Sequence, residues 1–178
     1  METTNSQNPC WYTRLQGILF LLVFLTYGLG DAITSIYMIE KRGIMYEANP
    51  FARYLILIYG SSFFFAIKIW FTAFVILFVP FLIQIRSNRP IFWMLNGYLI
   101  SFIIGGIIAM VLNIQAMSNE KLLFLPEHAL VIFFILVLIL TTIGEEIDKR
   151  IPVRIEYLEC ALHDVAQLLL FIFNKSKN

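Results

Sequence analysis

Asp31 and Lys68 are the side chains of this sequence that an apolar environment would penalise most. Asp31 stands in GDAITSIYMIE (residues 30–40) and Lys68 in SSFFFAIKIWF (residues 61–71). In the middle of a membrane helix an ionised group costs about 2.5–3.5 kcal/mol on insertion scales, so such groups pair or line a pathway. A carboxylate and an ammonium on neighbouring helices can offset each other or contribute to an ion-binding site. Tyr27, Thr34 and Ser35 lie at helical steps from Asp31, as do Ser61 and Thr72 from Lys68. Ser101, Gly105, Ala109 and Asn113 recur at four-residue steps, a small-residue face that admits a close neighbour and ends on Asn113. The stretch YEANPF adds Glu47, Asn49 and Pro50, and His128 follows Pro126.

Each of these residues also has a plainer use. An Asp31–Lys68 pair can simply fix helix packing. Asn49 and Pro50 suit a helix start, one as a side-chain cap and the other as a first helical residue. Glu47 can answer Lys41 or Arg42, and His128 can be an interfacial residue. No His-Glu-x-x-His, nucleophile elbow or glycine-rich phosphate loop occurs, so no catalytic residue is assigned. Asp31, Glu47 and His128 have only generic spacing for a metal, so no metal or cofactor is expected.

The elements that must position these groups are set by composition. Of 178 residues, 60% are hydrophobic and 14% charged, and the mean hydropathy is +0.79. Soluble domains have roughly 45–50% apolar and about 25% charged residues, so this chain is read as dissolved in lipid. A net charge of +1 and no basic stripe interleaved with aromatics argue against nucleic acid. Cys10 and Cys160 match no metal or redox spacing. METTNSQNPCWYTR lacks a basic n-region, and the run after it is too long for a signal peptide, so it reads as an uncleaved first span.

Four stretches have the roughly 20 residues needed to cross a bilayer: Leu15 to Ile39, Ser62 to Ile85, Pro90 to Met117, and Glu127 to Ile143. Backbone groups in lipid must bond within their own segment, so each is expected to be helical. Pro90 and Pro126 are expected in helix first turns, and Pro80 should disturb the second span. NPFARYLILIYG between the first two spans is a helix too short to cross. On this reading Asp31 and Lys68 lie about 12 Å and about 9 Å below the same surface, at 1.5 Å per residue.

The expected fold class is therefore all-α: an integral membrane bundle of four transmembrane helices, a short interfacial or re-entrant helix and a C-terminal amphipathic helix. Its parts are a cytoplasmic segment over residues 1–14, the four-helix domain over 15–143, and a charged hinge with the amphipathic helix over 144–178. That last helix follows from Ile155, Leu158, Leu162, Val165, Leu169 and Ile172 at three- and four-residue steps. Basic residues favour both termini in the cytoplasm of a multi-pass cell-membrane protein. Arg14, Arg86, Arg89, Lys149, Arg150, Arg154, Lys175 and Lys177 then lie inside, and Lys41, Arg42, Arg53 and Lys121 outside.

Asp31 with Thr34, followed by Gly43, Glu47, Asn49 and Pro50, resembles the motif of the domain of unknown function 5658 family. The resemblance covers roughly Phe20 to Asn113, and Lys68 falls where a polar position is expected. It implies a small multi-pass membrane protein in a prokaryotic setting and implies no reaction. Three functional readings remain open. The first is a non-enzymatic structural or interaction module built around the pair, with the lipid bilayer and a second copy or another membrane protein as partners. The second is a small transporter or ion-binding protein using the outer-half polar cluster of Asp31, Glu47, Asn49, Lys68, Asn113 and His128. The third is an intramembrane enzyme acting on lipid.

Overall fold

The computed structural model describes residues 9–47, 49–118, 123 and 125–153. All elements among them are helical: α1 (Pro9–Val23), α2 (Asp31–Arg42), α3 (Pro50–Tyr59), α4 (Ser61–Phe71), α5 (Val79–Arg86), α6 (Phe92–Ser118) and α7 (Pro126–Arg150). Two π-helical stretches, Phe24–Gly30 and Thr72–Phe78, join α1 to α2 and α4 to α5. Four continuous passages result, Trp11–Arg42, Ser61–Arg86, Phe92–Ser118 and His128–Arg150, each long and apolar enough to cross a membrane. The expected all-α bundle with four such helices and one short one is what the chain forms. The C-terminal amphipathic helix, Cys160 and Lys121 lie outside the described residues.

Contacts divide the chain into two compact units. Among the described residues the first contributes only the opening stretch of α1. The second, Leu19–Val153, holds every candidate site residue. Within it Val23, Ile76, Leu95 and Leu99 are buried together, tying the first three passages. Nearer the 43–49 loop, Met38 and Ile39 of α2, Ala52, Leu55 and Ile56 of α3 and Phe64 of α4 form a second buried cluster. It presses α3 against the ends of α2 and α4.

Two glycines make that arrangement possible. Gly43 (φ 93°) ends α2, and Gly60 (φ 83°) alone separates α3 from α4. Both backbones lie where a Cβ would be strained, so the chain can turn sharply there. Asn49 caps α3 as its sequence suggests: its Oδ1 accepts the Phe51 N–H at 3.0 Å, with Pro50 in the first turn. Outside these clusters large apolar side chains face outward along every passage, among them Leu21, Phe74, Ile107 and Leu138. A chain with that surface and so small a buried interior is suited to lipid.

Three local expectations need adjustment. Pro90 precedes the third passage, which starts at Phe92. The disturbance around Pro80 takes the form of the π-helical stretch just before it, Thr72–Phe78. Residues 144–150 continue α7 where a charged hinge was expected. Helix-spaced pairs accompany that continuation, Lys149 Nζ at 3.1 Å from Glu145 and Arg150 Nη2 at 3.2 Å from Glu146.

α6 and α7 pack backbone to backbone. A Cβ built on Gly97 would overlap the Leu140 carbonyl, and one on Gly144 would overlap the Trp93 carbonyl. Ser101 spends its hydroxyl on the same seam, donating to the Gly97 carbonyl at 2.9 Å and the Leu136 carbonyl at 3.4 Å. Gly106, on another side of α6, lies against the backbone of Thr26 and Tyr27, which lets the first π-helical stretch come close.

Candidate functional site

Asp31 opens α2 immediately after the first π-helical stretch, and Lys68 sits near the end of α4, just before the second. π-turns widen the helix locally and are frequent at functional sites. Lys68 Nζ is ion-paired to Asp31 Oδ2, and both side chains are largely shielded, at 17% and 11% exposure. The pair that the sequence suggested is therefore present, level on two adjacent passages.

Asn113 of α6 completes the cluster. Its Nδ2 lies 3.0 Å from Asp31 Oδ1, 3.1 Å from Thr34 Oγ1 and 3.1 Å from Ser35 Oγ. Ser35 Oγ also approaches Asp31 Oδ1 at 3.5 Å. Thr34 donates its hydroxyl to the Gly30 carbonyl at 2.9 Å, which leaves its oxygen free to accept from Asn113. Each carboxylate oxygen of Asp31 thus has a protein partner, and three passages meet on one side chain.

The ammonium is flanked by aromatic faces. Lys68 Nζ is 5.4 Å from the Tyr27 ring centroid and 5.8 Å from that of Phe64. Such cation–π contacts contribute roughly 0.5–2 kcal/mol depending on desolvation. Tyr27 in turn packs edge-on against Phe102 (5.0 Å) and stacks with Phe133 (6.5 Å). Gly105 leaves room for Phe133, whose ring a Cβ at that position would strike. Tyr27, Phe102 and Phe133 thus join the first, third and fourth passages in one aromatic cluster that touches the pair through Tyr27.

The loop reaches back toward the pair. Glu47 is buried, and its Oε1 accepts the Asn49 N–H at 2.9 Å. It does not answer Arg42, which donates to the Ala116 carbonyl (3.0 Å) and the Met117 carbonyl (3.3 Å) and so satisfies the C-terminal end of α6. Burial pushes the Glu47 carboxyl above its ordinary 4.5, and the Asn49 N–H pulls it down. Asp31 raises it further, while Lys68 and Arg53 lower it. The folded value exceeds the unfolded one, so the stability this group contributes is complete below about pH 4.5 and declines as pH rises through the folded value. Glu47→Gln keeps an acceptor for Asn49 and removes the titration. Unfolding followed from pH 4 to pH 7 should lose slope in that variant, about 1.4 kcal/mol for each unit by which the carboxyl is raised.

His128 is exposed and far from completing a metal site; no cluster of three or more His, Cys, Asp or Glu side chains occurs among the described residues. Asn49 and Pro50 serve the start of α3. Of the residues singled out in the sequence, Asp31, Thr34, Lys68 and Asn113 come together, with Glu47 in electrostatic reach. Thr72 supports Lys68 indirectly, donating to its carbonyl at 2.9 Å. Sequence reasoning missed Arg42 as a helix cap and Asp148, a buried carboxylate that accepts the N–H groups of Trp93 (3.0 Å) and Met94 (2.8 Å). The only signal for Asp148 was its position one helical turn beyond Gly144.

A family model described as a domain of unknown function (DUF5658) matches residues 22–119, a stretch that holds the whole cluster. No curated protein matches the chain, and no solved structure does.

Proposed function

The chain belongs to this family of unknown function (DUF5658), a membership that brings no reaction with it, and we propose that the protein is a non-enzymatic membrane module pinned by its Asp31–Lys68–Asn113 cluster. The observation that carries this reading is the completeness of the cluster. Oδ2 of Asp31 is held by Lys68, Oδ1 by Asn113 and Ser35, and the ammonium lies over two rings. A transporter would need the carboxylate open to its cargo, and an enzyme would need a group left to react. A closed cluster joining three helices instead sets their register, the best-attested use of a buried ionic group.

The proposal extends to the setting. The module sits in a prokaryotic cell membrane with both termini in the cytoplasm, a placement supported by the bias of basic residues along the sequence. The 43–49 loop and the pair then belong to the outer half. The partner is the bilayer itself together with a second copy or another membrane protein.

If the cluster is structural, its two charges can be removed together. The double variant Asp31→Asn, Lys68→Met should stay monodisperse in mild detergent, unfold within about 1 kcal/mol of the parent, and complement a deletion strain. A double variant that folds normally yet fails to complement would show that the charges serve an activity, and the reading would fall.

A further inference from the structure

On the outer wall of the bundle, between the ends of α2 and α6, lies a groove of about 450 Å³ lined by Thr34, Tyr37, Glu40, Lys41 and Met117. It occupies the last turns of both helices, the level at which a membrane-spanning helix meets lipid headgroups. Glu40 and Lys41 are both exposed, and neither forms an ion pair among the described residues. Tyr37 is 61% exposed, presenting a ring with a polar tip. One turn deeper, Ile33 of α2 and Ile114 of α6 are exposed at 42% and 49%.

The ligand these features match has four parts: an anion for Lys41, an ammonium for Glu40, a hydrogen-bonding oxygen for the Tyr37 hydroxyl, and apolar chains for the isoleucines. We propose that the groove seats the headgroup of a zwitterionic phospholipid bearing a primary ammonium. Its phosphate lies against Lys41 and Tyr37, its ammonium against Glu40, and its acyl chains run along Ile33 and Ile114. An anionic headgroup meets Glu40 with like charge. A soluble phosphoethanolamine ester lacks the chains that the lower groove receives. The proposal is independent of the Asp31 cluster, although Thr34 forms a wall of both.

The test is native mass spectrometry of the detergent-purified full chain, titrated with phosphatidylethanolamine or phosphatidylglycerol of identical acyl chains. The parent should carry phosphatidylethanolamine in about fivefold preference, the scale of one partly screened charge contact. Glu40→Gln should abolish that preference, and Lys41→Gln should weaken both lipids. Both positions are exposed, so the variants fold as the parent does. The proposal is overturned if phosphatidylglycerol binds the parent equally well, or if Glu40→Gln keeps the preference. Glycerophosphoethanolamine competing at the same concentration as the lipid would likewise overturn it, because the chains would then contribute nothing.

Discussion

Lys68→Met alone should destabilise the bundle by about 3–5 kcal/mol, the usual result of stripping one partner from a buried ion pair. The two halves of the pair are not equivalent. Left without Lys68, the Asp31 carboxylate keeps Asn113 and Ser35 but has no cation, and its short stem cannot carry it to water. Left without a carboxylate, the Lys68 ammonium still lies over Tyr27 and Phe64 and rides on a long flexible stem. Asp31→Asn should therefore cost less, about 1–3 kcal/mol, because the ammonium that loses its counter-charge keeps its aromatic contacts and its reach toward water, and the amide oxygen can still accept from Asn113. The expected order of unfolding midpoints in a mild detergent is the parent first, then Asp31→Asn, then Lys68→Met, with the double variant close to the parent. Equal losses for the two single variants would contradict the asymmetry. A Lys68→Met variant as stable as the parent would remove the pair from the account of stability altogether.

Much of this cluster was legible in the sequence because two charges in apolar runs admit few solutions. Asp31 and Lys68 sit at matching distances from the ends of consecutive passages, and the polar residues at helical steps around each pointed inward. The four-residue stripe on α6 was legible only as composition. An α-helix advances about 40° beyond a full turn at each four-residue step, so three steps swing the face by about 120°. Ser101 and Gly105 consequently meet α7, through the Leu136 carbonyl and the Phe133 ring, while Asn113 meets α2. What looked like one face serves two neighbours.

Other features depend on tertiary packing and left little trace. The π-helical stretches follow no residue pattern of their own; the first lies where Gly106 lets the α6 backbone approach and where Gly28 faces the Thr72 side chain. The return of Glu47 toward the pair requires α3 to be held by Met38, Ile39 and Phe64, contacts remote from the loop itself. Arg42 resembled any interfacial basic residue until the end of α6 arrived beside it.

Asp148 gives the second large effect and the clearest contrast among neighbours. An acidic residue near the C-terminus of a helix opposes that helix's own dipole, so its placement at the end of α7 calls for a compensating contact elsewhere. The compensation is the start of α6, where Trp93 and Met94 present N–H groups with no intrahelical partner and Asp148 accepts both. Asp148 is only 3% exposed, and the close α6–α7 seam at Gly97 and Gly144 excludes water from the contact. Asp148→Ala should cost about 3 kcal/mol or more, since hydrogen bonds to a charged group contribute about 1.5–3 kcal/mol each and do not simply add. Asp148→Asn retains one good acceptor and should recover roughly half of that loss. Lys149→Ala, one residue away, breaks only surface pairs to Glu145 and Glu146 and should unfold close to the parent. Thermal unfolding ranks the three variants, and hydrogen exchange at the first turn of α6 separates a lost cap from general loosening. Faster exchange confined to that turn in Asp148→Ala is the expected signature, whereas a variant that melts and exchanges like the parent would mean that the two N–H groups find another acceptor.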